Sequence, residues 1–116
     1  MELTKDMIVI DGDFSLNDDQ NVVTAYIETW FDVEKKFGID LEDDPDAGVN
    51  FYANYNVETE ELTCEYIVSK TNSCMAYEYE PTEKEAELIK QMMQEACQEM
   101  HGCDLYSFAE PLTMSM

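Results

Sequence analysis

The sequence contains no arginine, and only six lysines and one histidine accompany its 27 acidic residues. The formal net charge is therefore 6 − 27 = −21 over 116 residues. Proteins bind nucleic acids and anionic membranes through Lys and Arg. Enzymes that act on phosphate groups usually clamp them with the same residues. The near absence of cations thus argues against direct contact with DNA, RNA or a membrane, and against most phosphate-handling enzymes.

Long hydrophobic runs are also missing, since no stretch approaches the roughly 18 apolar residues that a membrane-spanning helix needs. The first ten residues hold only a four-residue apolar run, which does not fit a secretory signal peptide. No Cys-x-x-Cys pair occurs among the four cysteines, Cys64, Cys74, Cys97 and Cys103. We therefore expect reduced thiols, buried as small apolar side chains, in a cytoplasmic protein.

Apolar residues nevertheless make up 45% of the chain and aromatic residues 11%. A disordered acidic tail has few of either, so this chain can bury a core. Its length fits a single domain over residues 1–116. The first regular pattern is a short strand or extended arm at 7–10. It is followed by apolar residues at three- and four-residue spacing that predict an amphipathic helix over 18–37, ending at Gly38.

Three runs with period-two alternation follow, over 49–57, 62–69 and 74–80, and the short turns between them indicate an antiparallel meander. Thr82 and Glu85 form a capping box at the start of a second helix, which Gly102 ends. The tail from 103 to 116 is apolar enough to pack back on the body. The predicted fold is a two-layer α+β domain in the order α-β-β-β-α, with a three-stranded antiparallel sheet, two helices and a possible extra N-terminal strand.

The sequence offers little evidence for a metal or a catalytic centre. Counted from Asp11 or from Asp40, the acidic loops lack the Gly and Glu positions of a calcium-binding EF-hand. Cys97, His101 and Cys103 would need a fourth ligand from the sheet to hold zinc. A single His and no paired catalytic signature give no support for an enzyme. We therefore predict no metal, no cofactor and no catalytic activity.

The distribution of the acids is more informative, because so many like charges on a small domain repel one another. Some are spaced regularly: acids four apart on a helix lie about 6 Å apart, and acids two apart on a strand about 6.6 Å apart. Such rows imitate a line of phosphates. The rows predicted from the sequence are Glu28 with Asp32, Glu83 with Glu87, Glu95 with Glu99, and Glu78 with Glu80 beside Glu65.

In composition and predicted element order, the chain resembles a class of small acidic proteins of phages and mobile elements. These are DNA-mimicking inhibitors of the anti-CRISPR and antirestriction type, some of which occupy the PAM-reading groove of RNA-guided nucleases. Double-stranded-RNA-binding domains share the α-β-β-β-α order, but they rely on basic residues that are missing here. The resemblance implies a protein that blocks the Arg/Lys-lined groove of a nucleic-acid-processing enzyme.

Two other functions remain open, an immunity protein that caps a cationic nuclease toxin and a non-inhibitory adaptor of a phage or bacterium. For the DNA-mimicking inhibitor and for the immunity protein, the expected partner is a cationic nucleic-acid-binding protein. The chain itself is expected to be a monomer or a homodimer. Tyr52 and Tyr106 are candidate aromatic anchors of an interface. The acids expected to contact the partner lie in a loop, in a turn and on the sheet: Asp40, Glu42, Asp43, Asp44 and Asp46; Glu58, Glu60 and Glu61; and Glu65, Glu78 and Glu80.

Overall fold

The computed structural model describes residues 2–109, and a six-stranded antiparallel sheet is the central element of that range. The chain is thus α+β, as predicted, but the sheet has twice the predicted number of strands. The strands are β1 (Ile8–Ile10), β2 (Ser15–Leu16), β3 (Val22–Thr29), β4 (Gly48–Asn56), β5 (Leu62–Lys70) and β6 (Ser73–Tyr79). Their order in the sheet is β1-β3-β4-β5-β6, and β2 also pairs with β3.

The prediction of a helix over 18–37 is wrong for most of that range. Residues 22–29 form strand β3, which pairs with both β1 and β4. Val23, Ala25 and Ile27 alternate along it and are fully buried. The apolar residues are nearly continuous here and fit a helix or a strand. Six of the eight residues in β3 are β-branched or aromatic, which favours the strand once partners are available on both sides.

The polar residues before β3 close a hairpin rather than cap a helix. The side chain of Asn17 accepts hydrogen bonds from the backbone N–H groups of Asn21 and Val22. Ser15 and Leu16 then pair with Thr24 and Val23. Helix remains only in α1 (Val33–Phe37), which Asp32 caps at its N-terminus and Gly38 ends with a positive φ of 68°. The expected order α-β-β-β-α is therefore replaced by three strands, α1, three strands and two further helices.

The second half of the chain agrees closely with the sequence patterns. The three predicted strands become β4, β5 and β6, with their ends displaced by one residue at most. The second helix, α2 (Glu83–His101), begins with the predicted Thr82–Glu85 capping box and ends at Gly102. The tail packs back through a short helix, α3 (Leu105–Ala109). Its predicted contacts at 110–116 lie outside the described residues.

The core lies on one side of the sheet, and the helices cover it there. Ile89, Met93 and Cys97 of α2 and Leu105 of α3 are fully buried against that side. Strands β1, β3, β4 and β5 contribute alternate residues to the core, so that their remaining side chains project from the opposite side. This division of the sheet determines where the candidate binding residues lie.

Candidate partner-binding surface

Within residues 2–109 the helices pack on one side of the sheet, and we call the other side the open face. It comprises the outward-pointing residues of β3 to β6. One row crosses four strands, because Tyr26 lies opposite Tyr52, Tyr52 opposite Glu65, and Glu65 opposite Glu78. The rings of Tyr26 and Tyr52 pack edge to face at 5.6 Å, and the Tyr26 side chain is exposed. A pair of aromatic rings thus adjoins a pair of carboxylates.

Glu65 and Glu78 are cross-strand neighbours of the same charge. Such a pair destabilises a sheet, by up to about 1 kcal/mol relative to a neutral pair. Glu65 is held by a hydrogen-bond chain in which Thr24 Oγ1 donates to Asn54 Oδ1 at 2.6 Å and Asn54 Nδ2 approaches Glu65 Oε1 at 3.5 Å. The fold therefore fixes one carboxylate directly opposite another.

No lysine from β3 to β6 points into the open face. Lys70, at the end of β5, has the parity of the buried residues Tyr66 and Val68, so it belongs to the other side. The remaining lysines lie outside these strands. Within residues 2–109, the only ion pair closer than 4.0 Å joins Lys36 to Glu85, away from this surface. The acids of the open face are thus left without a cationic neighbour from the same strands.

The predicted loop acids occupy the connection between α1 and β4, and one of them has a structural role. The Asp44 carboxylate accepts hydrogen bonds from Thr71 N at 2.6 Å, Thr71 Oγ1 at 2.9 Å and Asp46 N at 3.0 Å. These bonds, led by the one from the Thr71 backbone, lower the pKa of Asp44. Asp44 therefore ties the loop to the β5–β6 turn and is less available to a partner than Glu42 or Asp43, which are exposed.

The predicted turn acids lie at the opposite end of the sheet, in the β4–β5 connection. Glu58, Glu60 and Glu61 are all exposed. Asn56 shapes the turn by accepting hydrogen bonds from the N–H groups of Glu58 and Thr59. Glu60 takes a positive φ of 63°. The carboxylates themselves have no hydrogen bond in the described structure and can face a partner.

A concave region connects the turn acids with the open face. It has a volume of about 740 Å³ and lies between the β4–β5 turn, the end of β6 and the start of α2. Its lining includes five acids, Glu61, Glu65, Glu78, Glu80 and Glu83. Four of these belong to the predicted contact set, and Glu83 adds a fifth from the α2 N-terminus.

The predicted contact residues therefore form no single compact patch. The loop acids adjoin the β5–β6 turn, whereas the turn acids lie at the other end of β5. Since β5 has nine residues, these ends are about 27 Å apart at about 3.4 Å per residue. The predicted row of Glu28 and Asp32 does not exist, because Glu28 is on β3 and Asp32 caps α1. The other helical acids, Glu83, Glu87, Glu95 and Glu99, are exposed on α2.

Cys64 and Cys97 are buried, Cys103 is half-buried, and Cys74 and His101 are exposed, so the expectation of buried thiols is wrong for Cys74. Burial raises the pKa of Cys64 to about 12, and burial together with the nearby Cys103 raises that of Cys97 to about 11. His101 Nε2 lies 2.9 Å from the Gly12 carbonyl, and its ring packs against Phe14 and Phe108. In the described part of the chain, no three His, Cys, Asp or Glu side chains converge as metal ligands would.

Two features of this surface escape sequence reasoning. Tyr26 and Glu28 belong to the open face only because residues 22–29 form a strand, and the β-branched and aromatic content of that stretch was the available signal. Of the two predicted aromatic anchors, Tyr52 is half-buried against Tyr26, and Tyr106 is half-buried against the core. The exposed member of the tyrosine pair is Tyr26.

None of the helices within residues 2–109 is long and apolar enough to cross a membrane. No protein-family model, no curated protein and no solved structure matches this chain.

Proposed function

We propose that this chain is an acidic protein that binds and inhibits a nucleic-acid-processing enzyme, such as an RNA-guided nuclease or a restriction system. It would do so in the cytoplasm by mimicking the phosphate charge of DNA and occupying an Arg/Lys-lined groove. The observation that carries the proposal is the opposition of Glu65 and Glu78 on a face without lysine. A cationic side chain of the partner would be attracted to both carboxylates and would offset their mutual repulsion.

The charge density also supports mimicry. Eleven acids of the predicted contact set are distributed along the roughly 27 Å length of β5 and the connections at its ends. Over the same length, duplex DNA carries about 8 phosphates per strand and about 16 in total. The set thus carries a charge comparable to that of one DNA strand, divided between the two ends of β5 and the open face. This support for mimicry does not depend on the element order α-β-β-β-α, which the chain lacks.

The test measures cleavage of duplex DNA by purified RNA-guided and restriction nucleases in the presence of the chain. We expect inhibition of at least one enzyme, weakening steeply as salt rises and relieved by excess DNA, because the same cationic residues would hold either ligand. Binding that is insensitive to salt, with DNA bound at the same time, would overturn mimicry.

Charge reversal locates the contact. The variant Glu42→Lys, Asp43→Lys, Asp46→Lys changes exposed loop acids and leaves the structural Asp44 intact, so inhibition should be lost while the fold is retained. A matched control, Glu87→Lys, Glu95→Lys, Glu99→Lys, makes the same change in net charge on α2. If both triple variants inhibit equally well, the loop is not the contact site.

A further inference from the structure

Strand β6 is an edge of the sheet that the described residues form. In the part of the chain that the structure describes, it pairs with β5 alone, and its residues 73–78 are all exposed. Natural edge strands usually carry lysine, proline or a bulge, or are very short, to prevent pairing with another chain. The five residues Ser73 to Tyr77 include no charge, no proline and no glycine.

The register shows which backbone groups are available. Lys70 and Ser73 are joined by a two-residue turn, so they close the hairpin as a hydrogen-bonded pair. From this pair onward, hydrogen-bonded and non-hydrogen-bonded residue pairs alternate along the two strands. Ala76 and Ile67 therefore form a non-hydrogen-bonded pair. The N–H and C=O groups of Cys74, Ala76 and Glu78 therefore point away from β5, toward the position of a seventh strand.

The two sides of this edge differ in chemistry. On the helix side, Met75 is 55% exposed and Tyr77 41% exposed. They border a cleft of about 150 Å³ whose lining also includes Ile39 and Val68 and the charged residues Asp40 and Lys70. On the open face, Glu78 lies at the edge with Glu65 directly behind it. A strand added here would meet Met75 and Tyr77 on one side, beside Asp40 and Lys70, and the carboxylate of Glu78 on the other.

We propose that β6 accepts an extended segment of the cationic partner, in which basic and apolar residues alternate, as a seventh strand. Because side chains alternate along a strand, the basic residues would face Glu65 and Glu78 and the apolar residues would cover Met75 and Tyr77. A second copy of this chain fits less well, since it would bring a further 21 negative charges. The inference deepens the proposed function, because it specifies how the cationic partner is held.

The test uses the full chain and a capped seven-residue peptide in which Lys and Val alternate. Its control is a peptide of the same composition with all Lys residues grouped together. We expect the alternating peptide to bind at least about tenfold more tightly and to protect the amides of Cys74, Ala76 and Glu78 from hydrogen exchange. Equal affinity for both peptides would overturn the proposal, as would protection confined to other strands.

Two further variants test the backbone contact. Ala76→Pro removes one outward N–H at a position where an edge strand tolerates proline, and should weaken binding about tenfold, whereas Ala76→Thr should not. If Ala76→Pro fails to fold, a peptide N-methylated on the bonding edge makes the same test on the unchanged protein. If the affinity for the peptide is unaltered in these experiments, strand addition is overturned. If the chain forms a dimer that Ala76→Pro abolishes, β6 pairs with a second copy of this chain, and the proposal of a cationic partner segment is overturned. Nuclease inhibition is measured in a separate assay, so a failure of strand addition can be distinguished from a failure of the proposed function.

Discussion

The carboxylate of Glu85, which is fully buried, lies 2.9 Å from the ammonium group of Lys36. Its oxygens also accept hydrogen bonds from the hydroxyl of Tyr79 at 2.6 Å and from the N–H groups of Thr82 and Leu3. One side chain therefore joins α1, the end of β6, the α2 N-terminus and the N-terminal segment. In a chain with so few cations, Lys36 neutralises an acid in the core.

We expect Lys36→Met to lower the free energy of unfolding by about 3–5 kcal/mol, because it leaves the Glu85 charge buried without its cation. Urea unfolding monitored by circular dichroism measures the change. Lys35→Met is the matched control, since the neighbouring Lys35 is exposed and should change stability by less than about 0.5 kcal/mol. Equal effects of the two substitutions would contradict a structural role for the buried pair.

The same site predicts a specific pH dependence. Burial opposes ionisation of Glu85, but the hydrogen bonds and Lys36 outweigh it and lower the pKa from 4.5 to about 2. A lowered folded-state pKa stabilises the fold above the unfolded value, and the contribution is lost as the pH falls from about 4.5 to about 2. Glu85→Gln should therefore cost about 3 kcal/mol at pH 7 and progressively less toward pH 2. A difference between the two proteins that does not change with pH would refute this assignment.

The loop between α1 and β4 provides a prediction about local order. Asp44→Asn removes the charge that accepts two hydrogen bonds from Thr71, so the loop should separate more often from the β5–β6 turn. Hydrogen exchange at the Thr71 amide should become faster, while exchange in β4 stays unchanged. Asp43→Asn, whose side chain is exposed, is the control and should leave the Thr71 amide as it is.

The sequence predicts the second half of the fold and fails in the first half for a physical reason. In β4, β5 and β6 the apolar residues alternate cleanly, and short turns join the strands, so local pattern and final pairing agree. In β3 the apolar run is almost continuous, and only pairing with β1 and β4 selects the strand. The capping box of Thr82 and Glu85 was visible in the sequence, but the partnership of Glu85 with Lys36, 49 residues away, was not.

The candidate surface also has features that follow from local sequence patterns and features that depend on residues far apart in the chain. The positions of Glu65 and Glu78 on one face follow from the period-two pattern, and the register confirms that they are neighbours. The structural role of Asp44 depends on Thr71, which is 27 residues away, and no local sequence pattern predicts it. An acidic loop in the sequence thus contains both exposed charges and one that is held within the fold.

Glu78→Gln should stabilise the fold and weaken partner binding at the same time. Removing one of two opposed charges relieves their repulsion, which should raise the free energy of unfolding by about 0.2–1 kcal/mol. The same change removes the carboxylate closest to a strand added at β6, so affinity for the alternating Lys–Val peptide should fall. Glu95→Gln on α2 makes the same chemical change on an exposed helix and should affect neither quantity appreciably. Urea unfolding and peptide titration at low salt measure both effects, and a Glu78→Gln protein that is less stable than the original would show that this carboxylate supports the fold rather than a partner.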